Sequence, residues 1–277
     1  MILDDSRRIA FVHIPKCGGT SVKSQLKAFD SYGGHFQQKG EHPNLGLIHF
    51  SHIPLFYLER EFPQEFGKIV RYRSFALCRD PHTRFASATF QRLEEFGKIP
   101  PLQITSDVAL TEAKNVIAWL SKRERFCDLE YIHFSRQLDY VELNSHRIVK
   151  EIYQLEEIRE LGLELGRCFG IDFDPEKREN VNFASLNSVF TRLRTLKPVY
   201  SRLTSWRSRE RILHLMQRWR LRSPTSLYER FREDPKIATF VEAYYAADFA
   251  LRRDLAARSV IDAGSTGRGP KRMRPRA

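Results

Sequence analysis

The stretch that most constrains this chain is I-A-F-V-H-I-P-K-C-G-G-T-S, residues 9–21. Ile9 to Ile14 is an apolar run with the length and β-branched content of a buried strand. Pro15 has no N–H to give to a sheet ladder and stops it. Lys16, Cys17, Gly18, Gly19, Thr20 and Ser21 follow, and Val22, Leu26 and Phe29 then recur at helical spacing. The order is strand, tight glycine turn, helix N-terminus. Such a turn aims free backbone N–H groups and the positive end of a helix at one point, where an anion can sit. Glycines let the backbone approach closely, the lysine adds a full charge, and two hydroxyls add donors. In the Walker A pattern, G-x-x-x-x-G-K-[ST], the lysine follows the glycines; here it precedes them.

The order P-K-x-G-G-T-S resembles the 5′-phosphosulfate loop of sulfotransferases that use 3′-phosphoadenosine 5′-phosphosulfate (PAPS). The preceding F-V-H-I is similar to the family-2 branch, which includes carbohydrate sulfotransferases such as heparan sulfate 2-O-sulfotransferase. The usual form there is H-I-P-K-T-G-G-T-S, so Cys17 stands where threonine is common. A second stretch, Arg79-Asp80-Pro81-His82-Thr83-Arg84-Phe85-Ala86-Ser87, resembles the family's 3′-phosphate site, R-D-P-x-x-R-x-x-S. Arg79 stands where a strand emerges and Ser87 lies on the following helix, so a guanidinium fork and a hydroxyl converge on one phosphate. Arg84 and Asp80 read as braces of that loop. H-F-S-R-Q-L-D-Y, residues 133–140, and Y-Y-A-A-D-F, residues 244–249, resemble the family's mid-domain segment and closing helix.

The resemblance covers Ile9 to Leu255. Strands alternating with helices imply an α/β fold with a mostly parallel sheet and helices on both faces, here a P-loop-like three-layer sandwich. The resemblance further implies transfer of the sulfuryl group of PAPS to an acceptor hydroxyl, expected on a carbohydrate, with 3′,5′-ADP as product. Lys16 would neutralise charge on the leaving phosphate, and the N–H groups of Cys17 to Ser21 would hold neighbouring oxygens. Arg79 and Ser87 would hold the 3′-phosphate. No metal is needed, and no carboxylate cluster offers one a site. The acceptor needs a general base with a pKa near operating pH, which suits histidine. His52 is the first candidate, since H-F-S-H-I-P-L-F resembles the region of heparan sulfate 2-O-sulfotransferase where H-G-H carries the base. The spacing here is three, not two, and His49 is the second candidate. His13 sits in the strand and reads as structural; His133 has no evident chemical role.

With 277 residues and 42% hydrophobic content the chain can build one large α/β domain or two small ones. The motifs favour one domain over 1–258, followed by a basic, disordered tail over 259–277. The formal net charge of +12 calls for an anionic partner. Arg192 to Arg222 carries ten basic residues and one acid, Glu210, and is either a contact for an acidic acceptor or a solvated helical face. Trp206 and Trp219 within it either stack on sugar rings or pack in the core. Cysteines 17, 78, 127 and 168 form no C-x-x-C pair, which excludes a zinc ribbon and fits a reducing compartment. Met1 to Arg8 is polar and no apolar run spans a bilayer, so the expectation is a bacterial cytoplasmic enzyme.

Two other functions compete. A P-loop nucleotide kinase or NTPase would want the Walker A order and an acid for Mg²⁺. A basic nucleic-acid-binding protein would want a zinc-finger, RRM or helix-turn-helix signature. Neither set is present, and no nucleic-acid partner is expected.

Periodicity predicts a loop over 31–47, a helix over 55–66, a strand over 71–78 and a helix from Pro81 to Phe96. It further predicts a helix to Ser121, a strand over 148–155 and a helix over 155–169 broken at Gly162 and Gly166. A closing helix runs over 240–255. Cys17, at a helix N-terminus beside a lysine, is expected to have a depressed pKa and to alkylate first.

Overall fold

In the computed structural model, residues 1–100, 103–177 and 227–266 are described. The basic segment 192–222, with both of its tryptophans, and the chain beyond 266 lie outside the described residues. The elements are β1 (Ile2–Asp4), β2 (Ile9–Val12), α1 (Gly19–Leu26), β3 (Lys39–His42), β4 (Gly46–His49), α2 (Leu55–Glu61), α3 (Pro63–Arg71) and β5 (Arg73–Cys78). They continue with α4 (Pro81–Glu95), α5 (Ser106–Leu120), β6 (Glu142–Leu143), β7 (His146–Arg147), β8 (Glu151–Gln154) and α6 (Ile158–Phe169). The chain closes with α7 (Leu227–Glu233), α8 (Pro235–Tyr244) and α9 (Ala246–Thr266).

The central sheet has the order β1-β2-β5-β8. β2, β5 and β8 are parallel, with Phe11 beside Phe75 and Ala76 beside Ile152, and β1 adds an antiparallel edge. Every residue of β2 is buried, as a strand covered on both faces requires. Helix α3 packs on β2 and β5, and α6 and α9 pack on β8. This mixed α/β, mostly parallel architecture is the P-loop-like class expected. A second apolar cluster lies outside the sheet, where Phe85 and Phe90 of α4 meet Phe134, Phe231 and Tyr245.

The structure departs from the sequence reading in several places. Residues 31–47 are not all loop: β3 and β4 form a hairpin with Lys39 opposite His49. Its short strands are largely exposed, so the alternating apolar signal is weak. The helix over 55–66 is two helices, divided at Phe62 with Pro63 opening α3. Helix α6 runs unbroken through both glycines; Gly162 is needed because a Cβ there would lie 2.6 Å from the Phe173 ring. The closing helix is interrupted at Tyr245 and continues to Thr266, past Gly264.

A buried polar core holds the middle of the chain to its end. Arg84, 1% exposed, donates to the carbonyls of His133 (3.1 Å) and Ser135 (2.6 Å) and stands 4.0 Å from the Asp248 carboxylate. Asp248, fully buried on α9, accepts the N–H groups of Gln137 and Leu138, each at 2.9 Å. Tyr245 donates its hydroxyl to the Phe134 carbonyl at 2.6 Å. Removing one partner of a buried ion pair leaves the other charge uncompensated. Asp248→Ala should therefore lower unfolding free energy by about 3–5 kcal/mol, read from urea melts. A loss below about 1 kcal/mol, the scale of an exposed pair, would show that this brace carries little of the fold.

Candidate active site

The loop leaving β2 is built by two left-handed residues, Lys16 (φ 64°) and Gly18 (φ 78°). Gly18 is also the N-cap of α1 and offers its first turn no side-chain cap; the Ser21 N–H donates to the Gly18 carbonyl at 3.2 Å. Gly19 has a different reason. A Cβ there would lie 2.1 Å from Cδ2 of His13, whose buried ring fills that space. Thr20 and Ser21, half-buried, stand in the first turn of α1. Lys16 donates from Nζ to Oε1 of Gln91 on α4. Burial, reinforced by the Arg79 charge, holds its ammonium down to a pKa of about 8.

The second motif meets the first. Arg79, just past β5, reaches from Nη1 to the Lys16 carbonyl at 3.4 Å and from Nε to Thr83 Oγ1 at 3.1 Å. Asp80 caps α4 by accepting the Thr83 N–H at 2.9 Å, with Pro81 in the first helical turn. It also pairs with Arg232 of α7 at 3.0 Å. Ser87 follows on α4, 2% exposed. Arg84 lies in the buried brace described above. The structure thus brings Lys16, the glycine turn and Arg79 together, with Ser87 on the helix that Arg79 leads into.

Four histidines gather beside this loop. The His52 ring lies 4.5 Å from His13, 4.6 Å from His49 and 5.3 Å from His133, centroid to centroid. Burial, followed by the mutual repulsion of the rings, keeps His52 well below the ordinary histidine value. Burial also lowers His13 and His133, and pushes His49 down to about 4. Hydrogen bonding separates the two candidate bases. His52 Nδ1 lies 3.1 Å from the His13 carbonyl, which can only accept, so Nδ1 carries the proton and Nε2 the lone pair. His49 Nδ1 instead accepts the Ser51 N–H at 3.3 Å, which engages its lone pair.

Cys17 corrects the sequence reading. It is fully buried, and its S–H donates to Gln137 Oε1 at 3.2 Å. Burial pushes its pKa up to about 12, the reverse of the expected depression. The helix-terminus rule assumes a thiol facing solvent, and this one faces the core. Sequence reasoning also missed two glutamines. Gln137 was inside a quoted motif without a role, and Gln91 stands four residues beyond Ser87 on the same face of α4, the available signal.

A mostly parallel sheet, a helix N-terminus without a side-chain cap at a lysine-bearing turn and an arginine just past the next strand make up a P-loop-like α/β fold. The model of the Sulfotransferase family matches residues 1–251, and the chain belongs to that family. No curated protein and no solved structure matches it. Among the described residues, no helix is long and apolar enough to cross a membrane. None of their groups of three or more His, Cys, Asp or Glu side chains is placed to hold a metal ion.

Cys168 is exposed, whereas Cys17, Cys78 and Cys127 are buried. Peptide mapping after brief iodoacetamide treatment should find Cys168 labelled first and Cys17 unlabelled. Equal labelling of the two would place the Cys17 thiol at the surface.

Proposed function

We propose that the chain transfers the sulfuryl group of PAPS to a hydroxyl acceptor, with a carbohydrate as the acceptor class. The observation that carries this reading is the meeting of Lys16 and Arg79 at the uncapped N-terminus of α1. Two separate cationic positions suit a nucleotide with phosphates at both ends of its ribose better than a plain triphosphate. The family-2 resemblance supports the carbohydrate, and the net charge of +12 suits an acidic glycan. Residues 1–258 are taken as the single catalytic domain.

The residues fit PAPS. N–H groups of Cys17, Gly18, Gly19, Thr20 and Ser21 would hold the 5′ end, and Arg79 with Ser87 the 3′-phosphate. When bound, PAPS supplies an activated sulfuryl group on a phosphate leaving group. Lys16 would stabilise charge that grows on the bridging oxygen, and the loop N–H groups are preorganised around the neighbouring oxygens. His52, neutral with its Nε2 lone pair available by tautomer, would take the acceptor proton as general base. The lysine-before-glycine order at Lys16, unlike that of a Walker A loop, favours this reading over an NTPase.

The test is thermal shift with 3′,5′-ADP, 5′-AMP, ATP and a DNA oligonucleotide, followed by incubation with PAPS and a panel of glycans. Expected are stabilisation by 3′,5′-ADP beyond the others and an adduct of roughly 80 daltons on a glycan, the mass of the transferred group. Equal stabilisation by 5′-AMP and 3′,5′-ADP would remove the 3′-phosphate site.

Lys16→Ala should cut turnover by about a hundredfold or more while weakening 3′,5′-ADP less, since the charge it meets develops in the transition state. Arg79→Ala should act on affinity, costing about 1.5–3 kcal/mol for 3′,5′-ADP and sparing 5′-AMP. The opposite pattern in the two variants would exchange their roles.

pH dependence follows from the same groups. A base whose pKa is held below the ordinary histidine value of 6.5 is already neutral at pH 6.5. The acid limb of kcat/KM should therefore fall below pH 6.5. On the alkaline side, Lys16 loses its proton near pH 8 in the free enzyme, so 3′,5′-ADP affinity should decline as pH rises past 8. An acid limb centred at or above 6.5 would mean a different base.

A further inference from the structure

We propose that Gln91 is a positioning residue for Lys16, a neutral tether that holds the ammonium at the glycine turn without neutralising its charge. The tether is a chain of contacts. Gln91 accepts from Lys16 Nζ through Oε1 and donates from Nε2 to Oε2 of Glu95 at 3.1 Å, and Glu95 is paired in turn with Lys39 on β3. The carboxylate fixes which way the amide points. It can only accept, so the NH₂ end of Gln91 faces Glu95 and the carbonyl end is left for the lysine. Ser87, Gln91 and Glu95 recur every four residues on α4 and stand one above another on its face.

The choice of an amide has a consequence that a carboxylate would not. Glutamate at 91 would form an ion pair with Lys16, and the ammonium would already be compensated when an anionic ligand arrived. A neutral acceptor orients the ammonium and leaves its full charge for the ligand. The nearby carboxylate, Glu95, is occupied by Lys39 and by Gln91 itself. The charged and titratable groups acting on Lys16 are Arg79 beyond β5, Glu94 and Glu95 on α4, Cys17 in the loop, and His133, which burial keeps neutral. Of these only Arg79 carries positive charge, and it favours loss of the lysine proton.

The tether can be read without ligand. Lys16 acetylation by acetic anhydride, followed against pH by peptide mapping of the full chain, reports where its amine loses the proton. In the wild type the rate should inflect near pH 8. Gln91→Glu should move the inflection up by about one unit or more, as an opposite charge at contact distance does. Gln91→Met, similar in length but without the amide, should move it down. A residue that only packs would not give shifts of opposite sign. The link to the bound anion rests on the reading under Proposed function and has its own readout. At pH 7, Gln91→Glu should weaken 3′,5′-ADP by about tenfold, because the lysine charge is shared with the new carboxylate. Should one variant fail to fold, the direction found in the other decides. Inflections that coincide with the wild type, or that move the same way, would overturn the tether. Opposite shifts in a protein that binds no 3′,5′-ADP would keep the tether and remove the donor-site reading.

Discussion

The Gln137 side chain ties together the ends of the two strands that carry the candidate site. Its Oε1 accepts the Arg79 N–H at 2.8 Å and the Cys17 S–H at 3.2 Å, and its Nε2 donates to the Arg79 carbonyl at 2.9 Å. The residue is fully buried, and its own N–H is held by Asp248. Both amide atoms are thus satisfied where an unpaired polar atom would cost most. The loop after β2 and the loop after β5 are fastened to one amide, and that amide is fastened to the closing helix. Under the proposed function the glycine turn and Arg79 would need such a backing, since a displacement of about 1 Å is costly to catalysis.

Around this backing the charges are arranged unevenly. Arg84 and Asp248 face each other in the core and support the chain. Lys16 and Arg79, by contrast, stand close together in the loop, with a carbonyl and an amide as neighbours and, among the described residues, no carboxylate in an ion pair with either. Burial of Lys16 disfavours its charged form, and an anion would relieve that cost. The left-handed backbone at Lys16 adds local strain of order 1–3 kcal/mol. The cost is concentrated in one loop and compensated by the polar core behind it. The four imidazoles follow the same logic in reverse. Crowding and burial keep them neutral, which is the state in which one of them can accept a proton.

Much of this was legible in the residues themselves. Ile9 to Ile14 had to be a buried strand, of which the sheet takes up Ile9–Val12, Gly18 and Gly19 had to turn, and Asp80 followed by Pro81 had to open a helix. Each of these depends on contacts within a few residues, and each is found. The hairpin of β3 and β4 was not legible because only Ile48 of its strand residues is buried and its register comes from pairing. Gly162 and Gly166 looked like breaks because propensity counts only local cost, while packing on Phe173 supplies the compensation at Gly162.

The sequence by itself determined the strand, turn and helix of the anion loop, the helix that follows Arg79 and the chemical types that stand there. Those follow from backbone sterics, capping and short-range periodicity. Tertiary structure alone decided which way the groups face. Cys17 points to Gln137, 120 residues away, and not to solvent. Gln137 takes hold of Arg79 at a separation of 58, and Asp248 takes hold of Gln137 at 111. His52 became distinguishable from His49 only when its Nδ1 met a carbonyl 39 residues distant. A pKa, a tautomer or the orientation of an amide is set by partners across such distances, and a partner exists for a residue only once the chain has folded around it.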